Sequence, residues 1–134
     1  IPHTGDFPSI GKRILVAWNA TQEATRAIAN ATPLLSSADS VYVMAVNCKS
    51  SKQEIICSDN MVRYLERLGI RAEIKDLQNV EIDVGNELLS RASDLSADLV
   101  VMGCYGHSRL REWVLGGATR TLLESMTVPV LMSH

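Results

Sequence analysis

The chain has 134 residues, the size of one ordinary domain, and can bury a core without disulfides or metals. Apolar residues make up 46% and charged residues 21%, a globular mix that argues against disorder. The net charge of −2 gives no clustered basic footprint, so no nucleic-acid partner is expected.

No apolar run reaches bilayer length and no secretory leader precedes the domain, so the expectation is a cytoplasmic protein without membrane contact. Cys48, Cys57 and Cys104 are odd in number and lack C-x-x-C spacing. They read as ordinary thiols rather than a disulfide framework or a zinc site. Residues 1–12 hold Pro2, Gly5, Pro8 and Gly11 before any periodic pattern begins, which reads as a linker or arm. The domain proper is expected over 13–134.

Arg13 to Trp18 is a short apolar run, the first strand. Thr21 is the expected N-cap of a helix carrying Ala24, Ala27, Ile28, Ala31 and Leu35 at helical spacing, with Pro33 expected to bend or end it. Val41 to Val46 is the second strand. The next helix, marked by Ile55, Val62, Leu65 and Leu68, should stop at Gly69 as C′ residue. Ile70 to Asp76 alternates and reads as a third strand buried on one side. Asp83 can cap a helix bearing Leu88, Leu89, Ala92 and Leu95. Asp98 to Met102 is the fourth strand, Gly116 to Met126 the final helix, and Val128 to Met132 the fifth strand.

This βα alternation predicts an α/β fold: a three-layer α/β/α open sheet of five parallel strands joined by right-handed crossovers. Strands one, two and four are continuous apolar runs and belong in the centre. The amphipathic third strand and the Pro129-bearing fifth belong at the edges, giving the order 3-2-1-4-5. Ligands of such sheets bind beyond the strand C-termini where the winding reverses, here between strands one and four. Trp18 and Asn19 follow strand one; Met102 and Gly103 close strand four and open a glycine-bearing segment.

Gly103 and Gly106 would let the backbone turn close to a guest. Gly116, Gly117 and Ala118, placed at the start of the last helix, would offer unpaired amides to an anion, with Thr119 adding a hydroxyl. Ordinary turn chemistry explains the same glycines without any ligand, and His107 alone reads equally as a solvated loop residue. No nucleophile has a base and an orienting partner, and no carboxylate cluster offers a metal site. No catalytic residue is expected.

The spacing Gly103-x2-Gly106-x9-Gly116, preceded by ADLVVM and followed by TVPVLM, resembles the universal stress protein family over Arg13 to His134. The resemblance implies a fold like that of the adenine nucleotide alpha hydrolases, with ATP or AMP in the crevice, with or without Mg2+, and slow ATP hydrolysis at most. Carried over, Ala17, Trp18 and Asn19 would border ribose and phosphates. Val46 would meet adenine through its backbone, and Met102 and Gly103 would line the floor. Gly106, Gly116, Gly117 and Ala118 would hold the phosphates, beside the charge that His107 and the hydroxyl that Thr119 offer on the residues' own reading. Asn19 stands where nucleotide-binding members usually have Asp, and Gly117 where they have Ser or Thr. The resemblance also implies a homodimer through strand five, Val128 to Met132, or pairing with a second such domain in one chain. A nucleotide-free dimerisation or scaffold module is the competing reading.

Overall fold

The computed structural model describes all residues but 3–4, 47–50, 76–83 and 105–111, and the side chains of all of these but 51–58 and 112–118. Its elements run β1 (Arg13–Trp18), α1 (Gln22–Ser37), β2 (Ser40–Ala45), α2 (Ser51–Arg67), β3 (Ala72–Ile74), α3 (Val84–Asp94), β4 (Leu99–Gly103), α4 (Glu112–Ser125) and β5 (Val130–Ser133). All four strand pairings are parallel, in the order β3-β2-β1-β4-β5. The expected topology is the observed one.

Strand parity divides the core into two layers. Ile14, Val16 and Trp18 pack with Ala24, Ile28 and Leu35 of α1 and with Leu65 of α2. Leu15 and Ala17 face the opposite layer, with Val84 and Leu88 of α3 and Leu122 of α4. Because β1, β2 and β4 are covered on both faces, every position of them can be apolar, which is why those runs show no alternation.

The ends of the helices follow from their sequences. Thr21 caps α1, its Oγ1 accepting from the Ala24 N–H at 3.3 Å. Gly69, at φ +77°, closes α2: its N–H reaches the Glu66 carbonyl, and the Ile70 N–H reaches that of Leu65. That pair of bonds is the Schellman closure, whose left-handed residue glycine adopts most easily. Pro33 neither ends α1 nor lies at its last turn; the helix continues to Ser37. Pro33 and Ala29 are both exposed, so water can serve the carbonyl that proline's missing N–H leaves unpaired. The last helix starts at Glu112 rather than Gly116, four residues earlier than its glycines suggested. Strand five starts at Val130; the Pro129 carbonyl still accepts from the Val100 N–H, so proline stands at the entry of the ladder where no N–H is needed.

At the N-terminal end of the sheet one carboxylate gathers the chain. Asp98 accepts from Ser9 Oγ at 2.8 Å and from the backbone N–H groups of Gly11, Lys12 and Arg13 at 3.0, 3.1 and 2.9 Å. Burial pushes this carboxyl up, but the N–H of Arg13, the Ser9 hydroxyl and the N–H groups of Lys12 and Gly11 together outweigh it. The net pKa lies below the ordinary 3.8.

Candidate functional site

The chain leaves β1 toward β2 on one side, and β4 lies on the other, so the winding reverses between β1 and β4. There, on the α3/α4 face, Ala17, Asn19, Val46, Val84, Leu88, Met102 and Gly103 line an open crevice. Its origin is a small side chain. Ala17 stands in register between Met44 of β2 and Met102 of β4, and its methyl leaves a dip between two long neighbours. Val84 and Leu88, one turn apart on α3, wall the dip.

Asn19 brings the polar group. Its Oδ1 accepts from the Thr21 hydroxyl at 2.7 Å and from the Thr21 N–H at 3.3 Å. Backbone pairing holds the mouth together from the other side: the Val46 N–H donates to the Trp18 carbonyl at 2.8 Å.

Gly103 owes its identity to packing. A Cβ there would lie 2.5 Å from the Ala24 nitrogen and 2.7 Å from the Glu23 carbonyl carbon. The first turn of α1 therefore rests directly on the end of β4, and only a residue without a side chain permits it.

Five residues named from the sequence, Ala17, Asn19, Val46, Met102 and Gly103, meet in this one crevice. Trp18 does not share its face. The indole is 9% exposed and belongs to the α1/α2 layer, with Nε1 buried and without a hydrogen-bond partner among the described residues. Thr119 is 1% exposed on α4, and its Oγ1 likewise has no partner among them. Gly106 and His107 lie outside the described residues. Gly116, Gly117 and Ala118 fall in the second turn of α4, because the helix starts at Glu112. A helix leaves only its first four N–H groups unpaired, so the amides of Gly116, Gly117 and Ala118 lie within the helix ladder. That corrects the placement of those three amides at the helix start.

Val84 and Leu88 were missed by the sequence reading. Strand parity could have found them: Ala17, Met102 and Val46 face one layer, and the helix covering that layer must bring its first apolar residues to the same place. Beside the crevice, the Cys104 thiol is buried; burial first, and the charge of Glu23 second, push its pKa up. It is no activated nucleophile. Among the described residues no three His, Cys, Asp or Glu side chains could hold a metal ion, and the described lining contains no carboxylate. These residues do not fit a Mg2+ held by the protein. No described helix is long and apolar enough to cross a membrane.

A doubly wound parallel sheet with a mainly apolar crevice at its reversal point places the chain among the open-sheet α/β folds whose ligand sites lie beyond the strand C-termini. Comparison with known proteins makes the class specific. The family model of the universal stress protein family matches residues 11–134. The chain belongs to that family.

A Synechocystis relative, universal stress protein Slr1230, is 35% identical over 72 residues, 52% of this chain and 23% of the relative. Universal stress protein MJ0577 of Methanocaldococcus jannaschii is 31% identical over 74 residues, 55% of this chain and 44% of the relative. The matched stretches thus span less than half of either relative. The solved structure of MJ0577 superposes with a TM-score of 0.72 at 23% identity, covering 93% of this chain and 96% of that one. An Archaeoglobus fulgidus universal stress protein solved with dAMP gives 0.65 at 18% identity, covering 91% and 97%. An Arabidopsis thaliana family member solved with AMP gives 0.65 at 12%, covering 91% and 90%.

Proposed function

We propose that the crevice binds an adenine nucleotide, ATP or AMP, as a regulatory ligand of a stress response. The observation that carries this reading is the convergence of Ala17, Asn19, Val46, Met102 and Gly103 at the reversal point of the sheet. The nucleotide complexes of two family members of the same fold support it. Val46, Val84, Leu88 and Met102 offer apolar contact to a base, and Asn19 a polar contact to ribose or phosphate. Gly106, His107 and the Thr119 hydroxyl are proposed for the phosphate side, and Trp18 through its backbone. Hydrolysis is at most slow, since no described crevice residue is a base for an attacking water. The test is to denature the purified protein, look for released adenine nucleotide by mass spectrometry, and measure thermal shift with ATP and AMP. No nucleotide and no shift at millimolar concentration would leave the scaffold reading in its place. Gly106→Val should abolish the shift; binding that survives it removes that loop from the proposal.

A specific observation keeps the second reading alive. All four residues of β5 are half-buried at the sheet edge, and Val130, Leu131 and Met132 are apolar. An edge of this kind is normally covered. The proposed cover is a second copy about a two-fold axis, or a second domain of the same kind, in a cytoplasmic protein. Leu131→Lys should halve the mass measured by analytical ultracentrifugation of a dimer; an unchanged mass would place the contact elsewhere. Dimerisation and nucleotide binding are compatible.

A further inference from the structure

We infer that Thr21 is a positioning residue that turns the Asn19 amide so that the crevice presents an N–H donor, and that the guest is therefore bound as an anion free of a divalent cation. This inference rests on the nucleotide reading of the crevice. Its starting point is which end of the amide faces which way. The Thr21 backbone N–H can only donate, and it points at the Asn19 side chain from 3.3 Å. The Thr21 hydroxyl accepts from the Ala24 N–H, so its own proton is the one directed at Asn19, 2.7 Å away. Two donors converge on one atom, and only the oxygen end of the amide can meet them. A flipped amide would set NH2 against both.

The consequence lies at the other end. Asn19 lines the crevice, and with Oδ1 engaged on the α1 side its Nδ2 is the end left for a guest. Among the described residues no acceptor is bonded to Nδ2. An amide nitrogen donates to phosphate, ribose or carbonyl oxygens and does not ligate a metal. Oδ1, with both lone pairs taken, offers a cation nothing either. No carboxylate among the described lining residues needs a cation to offset its charge. A carboxylate at position 19 would accept the same two bonds and leave a charged oxygen in the crevice. The asparagine replaces a group that would repel a bare phosphate by one that attracts it.

Isothermal titration with ATP in EDTA, then in excess MgCl2, tests the cation. Wild-type affinity should be the same or higher in EDTA. Asn19→Asp should lose about tenfold in EDTA and recover part of it with Mg2+. Thr21→Val should weaken ATP binding by about fivefold in EDTA, with Thr21→Ser restoring it. Loss of the α1 cap can destabilise Thr21→Val, so a second readout needs no ligand. The Asn19 NH2 pair in the 1H–15N spectrum, identified by its disappearance in Asn19→Asp, should move or broaden in Thr21→Val and keep its place in Thr21→Ser. A wild-type protein that binds ATP only with Mg2+, or a Thr21→Val protein with wild-type affinity and an unmoved NH2 pair, would overturn the inference while the nucleotide site stands. A wild-type protein that binds no nucleotide in either buffer would overturn both.

Discussion

The same two strands, β1 and β4, are finished in opposite ways at their two ends. Where they begin, a single carboxylate takes one hydroxyl and three backbone N–H groups. Where they stop, Asn19 uses its acceptor on its own helix cap, Ala17 leaves a dip, and the space stays open. One end is closed by satisfying every donor; the other is kept open by a small side chain and a turned amide. The closed end fixes where β1 and β4 start relative to each other, with the Asp98 N–H on the Arg13 carbonyl at 2.9 Å. The open end inherits that register, so the crevice is shaped in part by residues at the far side of the sheet.

The largest effect is expected where the open end is packed most tightly. Gly103→Val pushes a side chain against the backbone of Glu23 and Ala24, which cannot rotate away as a side chain could. It should cost about 3 kcal/mol in urea denaturation. A cost under 1 kcal/mol would mean that α1 does not rest on β4 as described, and the mouth of the crevice would have to be redrawn.

Next comes the closed end. Asp98→Ala strips four donors of a charged acceptor, and because water can reach some of them the expected loss is about 2 kcal/mol. The pH dependence has a definite sign. The folded pKa lies below 3.8, so this group's stabilisation is complete above the unfolded carboxylate value of about 3.9 and fades as pH falls through the folded value. The stability gap between wild type and Asp98→Asn should therefore be flat near neutrality and close only in acid. A gap that widens as the pH falls would contradict the four-donor arrangement.

The comparison also shows what a sequence discloses. The strand order was legible because burial on two faces writes continuous apolar runs, and burial on one face writes alternation. The cap at Thr21 and the stop at Gly69 were legible because each is a local event within four or five residues. The last helix was misplaced by four residues because two glycines look like a boundary, whereas Glu112 to Leu115 carry no capping signal strong enough to compete. Asn19, Met102 and Gly103 were legible from topology alone, whereas Ala17 and Val46 came only with the family resemblance. Val84 and Leu88 were not legible, since their role depends on which layer α3 covers, a fact of packing across the sheet. The reason for Gly103 was also hidden: the atoms that forbid its side chain belong to residues 79 and 80 positions earlier in the chain.

A third variant separates shape from stability at the open end. Ala17→Val adds two methyl groups to the dip between Met44 and Met102. Stability should change by about 1 kcal/mol or less, because Ala17 borders the open crevice as well as the core layer. Nucleotide affinity should fall at least about tenfold, roughly 1.4 kcal/mol, read by titration calorimetry. Equal losses in stability and binding would show that the crevice is collapsed core rather than a site.

The smallest effect tests whether α3 matters only through the face it turns inward. Its inner side supplies Val84 and Leu88 to the crevice wall and Ala92 to the core. On its outer side Arg91 bonds Glu87 at 2.9 Å, one turn back, and approaches Asp94 at 3.9 Å, with all three side chains partly in solvent. A pair so placed is screened by water and salt and contributes about 0.5 kcal/mol. Arg91→Ala should lower stability by that amount at low ionic strength and by less at 0.5 M salt, where the screening length is near 4 Å. Nucleotide affinity should not move, because neither Arg91 nor its partners reach the crevice. If affinity does fall, the position of α3 depends on its surface charges, and the crevice wall is held from outside as well as from within.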